Sequence, residues 1–172
     1  ICGVWGGYSS GTVIAENEFT GNGGMAYGLE RGAINMEHAA DNLIVNNRFL
    51  NNKCAIHLWW DNDGALLKYP GVAGAEKGVV GNIIAESDVA LVLYDSNAGI
   101  RFEGNAFVGN LSPLQLVGRR TDTVVTGNYW SDHRQPDLDG DGIADRPYRL
   151  SNVFDHLRGN LTAADLAGLD CL

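Results

Sequence analysis

The sequence predicts an all-β solenoid, in which short strands wind into coils that stack along one axis. The main observation is a repeat, because residues 12–22 (TVIAENEFTGN) are matched by residues 42–52 (NLIVNNRFLNN). Further copies of this motif begin at Asn82, Ile100 and Val124. A second motif is interleaved with the first, at residues 3–7, 33–37, 55–59, 90–94 and 113–117. Apolar segments of strand length that recur in this way bury their apolar side only by stacking on neighbouring units.

Two-residue alternation within the second motif separates inward from outward side chains. The residues that alternate with the inward ones are therefore predicted to face solvent. The predicted inward pairs are Ile34 and Met36, Ile56 and Leu58, Leu91 and Leu93, and Leu114 and Leu116.

A polar column is predicted at the bends between strands. Side-chain amides stacked in such a column can hydrogen-bond the turns above and below them, so the predicted role is structural and not catalytic. The residues assigned to this column are Asn17, Asn47, Ser87, Asn105 and Asn128.

Over about residues 3–150, these motifs resemble the right-handed parallel β-helix superfamily, which includes pectate-lyase-like enzymes, polyuronate epimerases and NosD-type proteins. Residues 127–132 (GNYWSD) and 137–148 resemble the closing segment of NosD-type chains in particular. The resemblance implies a single-stranded right-handed parallel β-helix in a secreted or periplasmic protein. We expect coils over residues 1–130 and, in the same domain, a cap over residues 131–172 that holds an Asp-rich loop and a short helix near residues 162–169.

Composition narrows the classes of partner. The 172 residues carry a formal net charge of −9 and a pI near 4.7, which argues against a nucleic acid or an anionic membrane as partner. No stretch of the sequence is long and apolar enough to predict a membrane span. Because the chain starts within a repeat motif, we expect it to be a fragment or a processed chain.

The three cysteines are not predicted to form a disulfide within the repeat. Aligning the motifs places Cys2, Gly32 and Cys54 in one column. Adjacent coils are spaced roughly 4.8 Å apart, and the two cysteines are separated by two such spacings. The two cysteine Cα atoms would then lie about 9 to 10 Å apart, beyond the roughly 7 Å that a disulfide tolerates. Cys171 has no evident partner in the sequence.

A candidate cleft is predicted on the outward side of the second motif. Aromatic rings beside polar and ionisable groups are typical of a polysaccharide-binding cleft, because rings stack on sugars while polar groups bind hydroxyls. Glu37, His57 and His38 are the candidate general acids or bases, with Asp61 to orient or polarise them. The alternative is structural, with Trp59 or Trp60 anchoring the loop after residue 60 and Asp61 and Asp63 forming turns. The predicted substrate-binding residues are Trp5, Asn35, Trp59, Trp60, Asp63, Tyr94 and Gln115.

A calcium site is predicted in the Asp-rich segment that starts at Asp137. Its spacing is that of an EF-hand loop, with oxygen ligands at positions one, three and five, Gly at six, a backbone carbonyl at seven and Asp at nine. Tyr148 replaces the usual Glu at position twelve, so another carboxylate such as Asp132 would complete the shell. A turn without a metal is the alternative. The predicted ligands are Asp137, Asp139, Asp141, Ile143 and Asp145.

Three hypotheses for function follow from the sequence. The first is an extracytoplasmic protein that binds or processes a polysaccharide; if it is an enzyme, it would be a lyase, an epimerase or a glycoside hydrolase. The second follows from the resemblance and is a NosD-like periplasmic accessory protein of copper-enzyme maturation, which docks a membrane transporter and a metalloenzyme. Met25, Met36 and His38 offer few soft donors for copper. The third is a surface repeat protein without chemistry.

Overall fold

The structure is a computed structural model that describes residues 2–23, 31–39, 41–59, 77–94, 98–117 and 122–149. Three residues of the predicted cleft, Trp60, Asp61 and Asp63, lie outside the described residues, as does the predicted terminal helix. None of the described residues forms a helix that is long and apolar enough to cross a bilayer.

Fifteen short strands in the described residues form three parallel sheets, and each of five coils contributes one strand to each sheet. Sheet I contains β1 (Val4–Gly7), β4 (Ile34–Glu37), β7 (Cys54–Trp59), β10 (Val89–Tyr94) and β13 (Gln115–Val117). Sheet II contains β2 (Val13–Ala15), β5 (Leu43–Val45), β8 (Lys77–Val80), β11 (Ala98–Glu103) and β14 (Asp122–Thr126). Sheet III contains β3 (Glu18–Thr20), β6 (Arg48–Leu50), β9 (Ile83–Ala85), β12 (Ala106–Val108) and β15 (Tyr129–Trp130). The fold is the predicted right-handed parallel β-helix.

Sheets II and III are built from a five-residue unit that occurs twice in each of coils 1 to 4 and once in coil 5. A three-residue strand with its central side chain buried is followed by a residue with positive φ and then by Asn or a similar polar residue, as in residues 13–17. The positive φ turns the chain sharply from one sheet to the next, which Gly and Asn tolerate best. Nine such corners have φ between 51° and 68°, at Glu16, Gly21, Asn46, Asn51, Gly81, Glu86, Gly104, Gly109 and Gly127.

Each Asn after a sheet II strand hydrogen-bonds the coil that precedes its own. The Asn82 side chain accepts bonds from the backbone N–H of Asn47 at 2.9 Å and from its Nδ2 at 3.1 Å. It also donates through Nδ2 to the carbonyl of Ile44 at 3.0 Å. Asn47, Asn105 and Asn128 repeat these contacts, which satisfy backbone groups that the corners would otherwise leave unpaired inside the fold. The predicted structural ladder is therefore present.

One member of the predicted ladder was wrong. The column that contains Asn17 and Asn47 continues through Asn82, whereas Ser87 belongs to a second ladder with Asn22, Asn52 and Asn110, after sheet III. Because the five-residue unit occurs twice per coil, the sequence can be aligned in two registers that differ by five positions. Phe49 pairs with Ile84, which aligns Asn47 with Asn82 and not with Ser87.

The inward side chains of the three sheets form one continuous core. All inward residues predicted for β4, β7 and β10 are buried, from Ile34 at 0% to Leu91 at 3% exposure. Leu114 and Leu116 are partly buried against this core. Rings stack between coils inside sheet III, with Phe19 and Phe49 at 5.0 Å and Phe107 and Trp130 at 4.2 Å between centroids.

Cys2 and Cys54 are not joined by a disulfide, as the repeat alignment predicts. The registers of β1 with β4 and of β4 with β7 place Gly32 between them in the same column. Gly32 has φ of 109°, and a Cβ there would lie 2.6 Å from the carbonyl oxygen of Ile34. Burial raises the pKa of the Cys54 thiol to about 12, although Arg31 opposes this shift. Cys54 is therefore a neutral core residue.

Candidate functional site

The outward face of sheet I has the register that the repeat predicts. Asn35 pairs with His57, and Glu37 pairs with Trp59 on adjacent strands. The first outward column contains Trp5, Asn35, His57, Val92 and Gln115. The second contains Gly7, Glu37, Trp59, Tyr94 and Val117. The structure thus brings all the described cleft residues onto one face.

Most of this face is not the open strip that the alternation predicts. Asn35 and His57 are 0% exposed, and Gln115 and Trp59 are 2% and 5% exposed. The expectation that these neighbours face solvent was therefore wrong. Two-residue alternation fixes the direction of a side chain, but it does not encode what packs against the outside of the sheet. A buried side chain cannot contact a polysaccharide in this conformation.

Asn35, His57 and Trp59 form a buried polar cluster on sheet I. Trp59 Nε1 donates to Asn35 Oδ1 at 2.8 Å, and Asn35 Nδ2 donates to the carbonyl of Arg31 at 2.8 Å. His57 Nδ1 lies 3.2 Å from the same carbonyl. The His57 ring also packs against Tyr94, with centroids 5.6 Å apart. These contacts pair polar groups inside the protein and tie the segment before β4 to sheet I.

One part of sheet I does reach solvent, at the end formed by coils 1 and 2. Trp5 is 53% exposed and Tyr8 is 58% exposed. Trp5 Nε1 donates to Glu37 Oε2 at 3.3 Å, while the other Glu37 oxygen lies 3.3 Å from His38 Nδ1. Tyr8 stacks on His38 with centroids 4.8 Å apart and planes 13° apart. We call Trp5, Tyr8, Glu37 and His38 the aromatic platform.

Sequence reasoning missed Tyr8, although a signal for it was present. Tyr8 directly follows β1, and His38 directly follows β4, so the register of these strands makes the two residues neighbours. Both have positive φ, 55° and 47°, and their rings stack on each other. His38 is 2% exposed beneath Tyr8, so the imidazole is an internal support of the platform.

The Asp-rich loop brings together three of its five predicted ligands. Carboxylate oxygens of Asp137, Asp139 and Asp141 all lie within 4.8 Å of one another, and all three residues are exposed. Asp137 accepts bonds from the N–H groups of Gly142 and Gly140 at 2.9 and 2.7 Å, and these bonds lower its pKa.

The other two predicted ligands, Ile143 and Asp145, form hydrogen bonds within the loop. Asp145 Oδ2 accepts the N–H of Leu138 at 2.6 Å, and the N–H of Ile143 donates to Asp141 at 2.8 Å. Tyr148, at the position of the usual Glu, stacks on Trp130 with centroids 4.3 Å apart. It also donates to Asp132 Oδ2 at 3.0 Å. These two residues thus fasten the loop to coil 5.

Comparison with known proteins identifies the family. The sequence profile of the family described as "Periplasmic copper-binding protein (NosD)" matches residues 2–159. The chain belongs to the NosD family. The family is periplasmic, in agreement with the secreted or periplasmic location that the sequence predicts.

Two curated NosD relatives span much more sequence than this chain. The "Probable ABC transporter binding protein NosD" of Pseudomonas aeruginosa is 34% identical over 82 residues, which are 46% of this chain and 19% of that protein. The protein of the same name from Stutzerimonas stutzeri is 29% identical over 141 residues, which are 80% of this chain and 24% of that protein. The chain therefore spans about a fifth to a quarter of these NosD proteins. No solved structure matches the chain.

The described residues do not fit a copper site, although the NosD family name implies one. Copper prefers sulfur and imidazole donors. The one group of three or more His, Cys, Asp or Glu side chains in the described residues that can converge on a metal is the Asp137, Asp139 and Asp141 set, which offers hard oxygen ligands. Cys54 and Met36 are core residues at 3% and 1% exposure. We therefore assign copper to none of these side chains.

Proposed function

We propose that this chain is part of a NosD-like accessory protein that acts in the periplasm by docking protein partners, an ABC transporter and a copper enzyme. The match of residues 2–159 to the NosD family carries this proposal. Both curated relatives are named as probable ABC transporter binding proteins, which also supports it. In this proposal the β-helix supplies a rigid docking surface, and copper is the cargo of the assembly.

The outer faces of sheets II and III suit protein docking. On sheet II, Val13 and Val124 are 62% and 54% exposed; on sheet III, Ile83 and Tyr129 are 48% and 61% exposed. Val13 and Val124 lie on the first and last strands of sheet II, so these apolar side chains are spaced along faces of the mixed character that is common in protein interfaces. Since neighbouring strands lie about 4.8 Å apart, five of them form a face roughly 20 Å wide, which suits a transient contact.

Deleting the gene in its host tests this function. We expect loss of nitrous oxide reduction and of copper from nitrous oxide reductase, together with co-purification of the tagged native chain with the ABC transporter. Ile83→Asp should weaken transporter capture at least about tenfold, because a buried unpaired charge opposes association. Leu138→Asp is the matched control, since Leu138 is 80% exposed in the Asp-rich loop. Normal nitrous oxide reduction in the deletion strain would contradict the proposal.

Polysaccharide binding stays a prediction with weaker support. Asn35 and Gln115, predicted to bind the substrate, and His57, predicted as an acid or base, are at most 2% exposed. Trp5 and Tyr94 of the predicted aromatic lining are 53% exposed and partly buried, respectively. Saturable binding of the chain to a glycan array, lost in Trp5→Ala, would restore this hypothesis.

We also propose that the Asp-rich loop binds calcium as a structural ion. Three carboxylates held within 4.8 Å repel one another without a cation, and hard oxygen ligands match calcium. Because Tyr148 and Asp132 fasten this loop to coil 5, the ion would stabilise the end of the β-helix.

Thermal unfolding with and without calcium tests the metal proposal. We expect Tm to be several degrees higher in 1 mM calcium than in a sample with chelator. Binding would add about 1–3 kcal/mol to the free energy of unfolding. Asp139→Asn should abolish the increase, whereas Asp88→Asn, which lies outside the loop, should retain it. An equal increase in both variants would contradict a site at this loop.

A further inference from the structure

The second ladder stops in coil 4, although sheet III continues into coil 5. In this ladder the backbone N–H of each member donates to the side chain of the member one coil later, at 2.8, 3.4 and 3.0 Å along the series. The ladder after sheet II advances 23 residues from coil 4 to coil 5, so the position after Asn110 is His133. His133 does not continue the series, because its backbone N–H donates to the carbonyl of Trp130 and its Nε2 lies 2.9 Å from the carbonyl oxygen of Arg146. The members of the second ladder are Asn22, Asn52, Ser87 and Asn110.

Asn110 therefore keeps hydrogen-bonding capacity that the other amides of the ladder use. Its Oδ1 accepts the N–H of Ser87, and its Nδ2 donates once, to the carbonyl of Ile84 at 2.8 Å. Within the described chain, no acceptor is bonded to its backbone N–H or to the second hydrogen of Nδ2. Asn22 donates both of these groups to Oδ1 of Asn52, at 2.8 and 3.1 Å. Donors shielded from bulk water are nearly always paired, so these two donors predict a polar ligand.

A pocket of about 80 Å³ lies beside Asn110, where β12 and β15 end. Such a volume holds one small polar group, since sites for whole small molecules usually exceed about 300 Å³. The carbonyl of Phe107 accepts the N–H of Ser131 at 3.0 Å and has a second lone pair. In the ladder, Asn52 donates to the corresponding carbonyl of Phe19 at 2.9 Å. The residues that line the pocket are Phe107, Gly109, Asn110, Pro113, Ser131 and Asp132.

The groups around the pocket match a primary carboxamide. Its oxygen can accept the two donors of Asn110, and its NH₂ group can donate to the carbonyl of Phe107, as the repeat does in earlier coils. A carboxylate of the same shape lacks these donors and would approach the carboxylate of Asp132, which opposes its binding. The chemistry thus favours a neutral amide over an anion.

We propose that this pocket binds the carboxamide of an asparagine or glutamine side chain, which extends the second ladder by one member. The carboxamide comes either from a protein partner or from a part of this protein outside the described residues, and the chemistry is the same for both. In the present sequence, Asn152 and Asn160 are the asparagines after residue 149. The inference goes beyond the proposed docking function and does not depend on it.

Nuclear magnetic resonance titration of the full chain with propionamide tests the proposal, with the backbone N–H of Asn110 as reporter. We expect a saturable shift, and binding of propionate at least about tenfold weaker because of Asp132. Asn110→Ser should weaken propionamide binding at least about threefold, because it removes the Nδ2 donor. The ladder already accommodates a serine at Ser87. Asn22→Ser, the same change at the other end of the ladder, should leave propionamide binding unaltered.

A second arm of the experiment identifies the source of the carboxamide. A response of the native chain means that the group is supplied from outside residues 1–172. A response of the double variant Asn152→Ala, Asn160→Ala but not of the native chain means that one of these asparagines supplies it. Three results would overturn the proposal. These are no response in either protein, equal shifts with propionamide and propionate, and equal effects of Asn110→Ser and Asn22→Ser.

Discussion

Each side chain inside the Asn ladder makes several hydrogen bonds. Asn82 is 1% exposed and bonds backbone or side-chain groups of Asn47, Ile44 and Val80. We expect Asn82→Ala to lower the free energy of unfolding by about 2 to 4 kcal/mol, because it leaves several buried groups unpaired. Urea denaturation measures this change.

The control for the ladder is Asn17→Ala at its exposed end. Asn17 donates to the carbonyl of Ala15 and to Asn47 Oδ1, and no earlier coil of the described chain depends on it. This variant should cost less than about 1 kcal/mol. Equal losses in the two variants would mean that the contribution of each amide to stability does not depend on its bonds to the neighbouring coils.

The two described thiols should differ in reactivity. Burial raises the Cys54 pKa to about 12, so the thiol is neutral at pH 8 and a poor nucleophile. In a Cys171→Ser background we expect Cys54 to react with a disulfide reagent only on unfolding, while the partly exposed Cys2 reacts in the native protein. Fast native labelling of Cys2→Ser, Cys171→Ser would contradict this.

The Cys54 shift also predicts a pH dependence of stability. The folded state favours the neutral thiol, so this contribution is complete below the ordinary pKa of 9.0 and is lost as pH rises toward about 12. Denaturation of the native chain and of Cys54→Ala at pH 8 and pH 10.5 measures it. The native chain should lose more stability than the variant over this interval.

Among the structural elements, the segment after β15 closes the solenoid with an aromatic ring. Tyr148 extends the Phe107 and Trp130 stack by one ring, at the position that another coil would occupy. We expect Tyr148→Ala to cost about 2 kcal/mol of unfolding free energy, because Trp130 loses one of its two aromatic neighbours. Tyr148→Phe keeps the stack and loses the bond to Asp132, so it should cost under about 1 kcal/mol. Similar losses in both would assign the stability to the hydroxyl instead.

The elements show where sequence reasoning succeeds. Strand register on sheet I was predictable because Ala33, Ala55 and Ala90 mark the same point in successive motifs. The ladder register was not, because the five-residue unit repeats within a coil and Ser87 fits either position. Burial of His57 was not predictable either, because it depends on packing against the outside of the sheet. The Asp-rich spacing correctly predicted the convergence of three carboxylates but not the use of Tyr148 in packing.

At the scale of the whole molecule, stability should vary with position along the axis. A middle strand such as β8 pairs with β5 and β11, whereas β2 pairs with one neighbour in the described chain. In stacked repeats each unit depends on its immediate neighbours, so coil 1 should open more often than coil 3. We expect native-state hydrogen exchange at Val79 to be at least about a hundredfold slower than at Ile14. Equal rates would indicate that all five coils open together.

The direction of the Asn bonds makes the length of this protein adjustable. Each carboxamide reaches back to the coil before it, and the positions of Asn82, Asn105 and Asn128 recur every 23 residues. Excising residues 82–104 would join Gly81 to Asn105, and the same kind of corner would form again. A shortened or duplicated variant would therefore need no newly invented contact surface, so evolution can change the number of coils by copying or deleting whole periods.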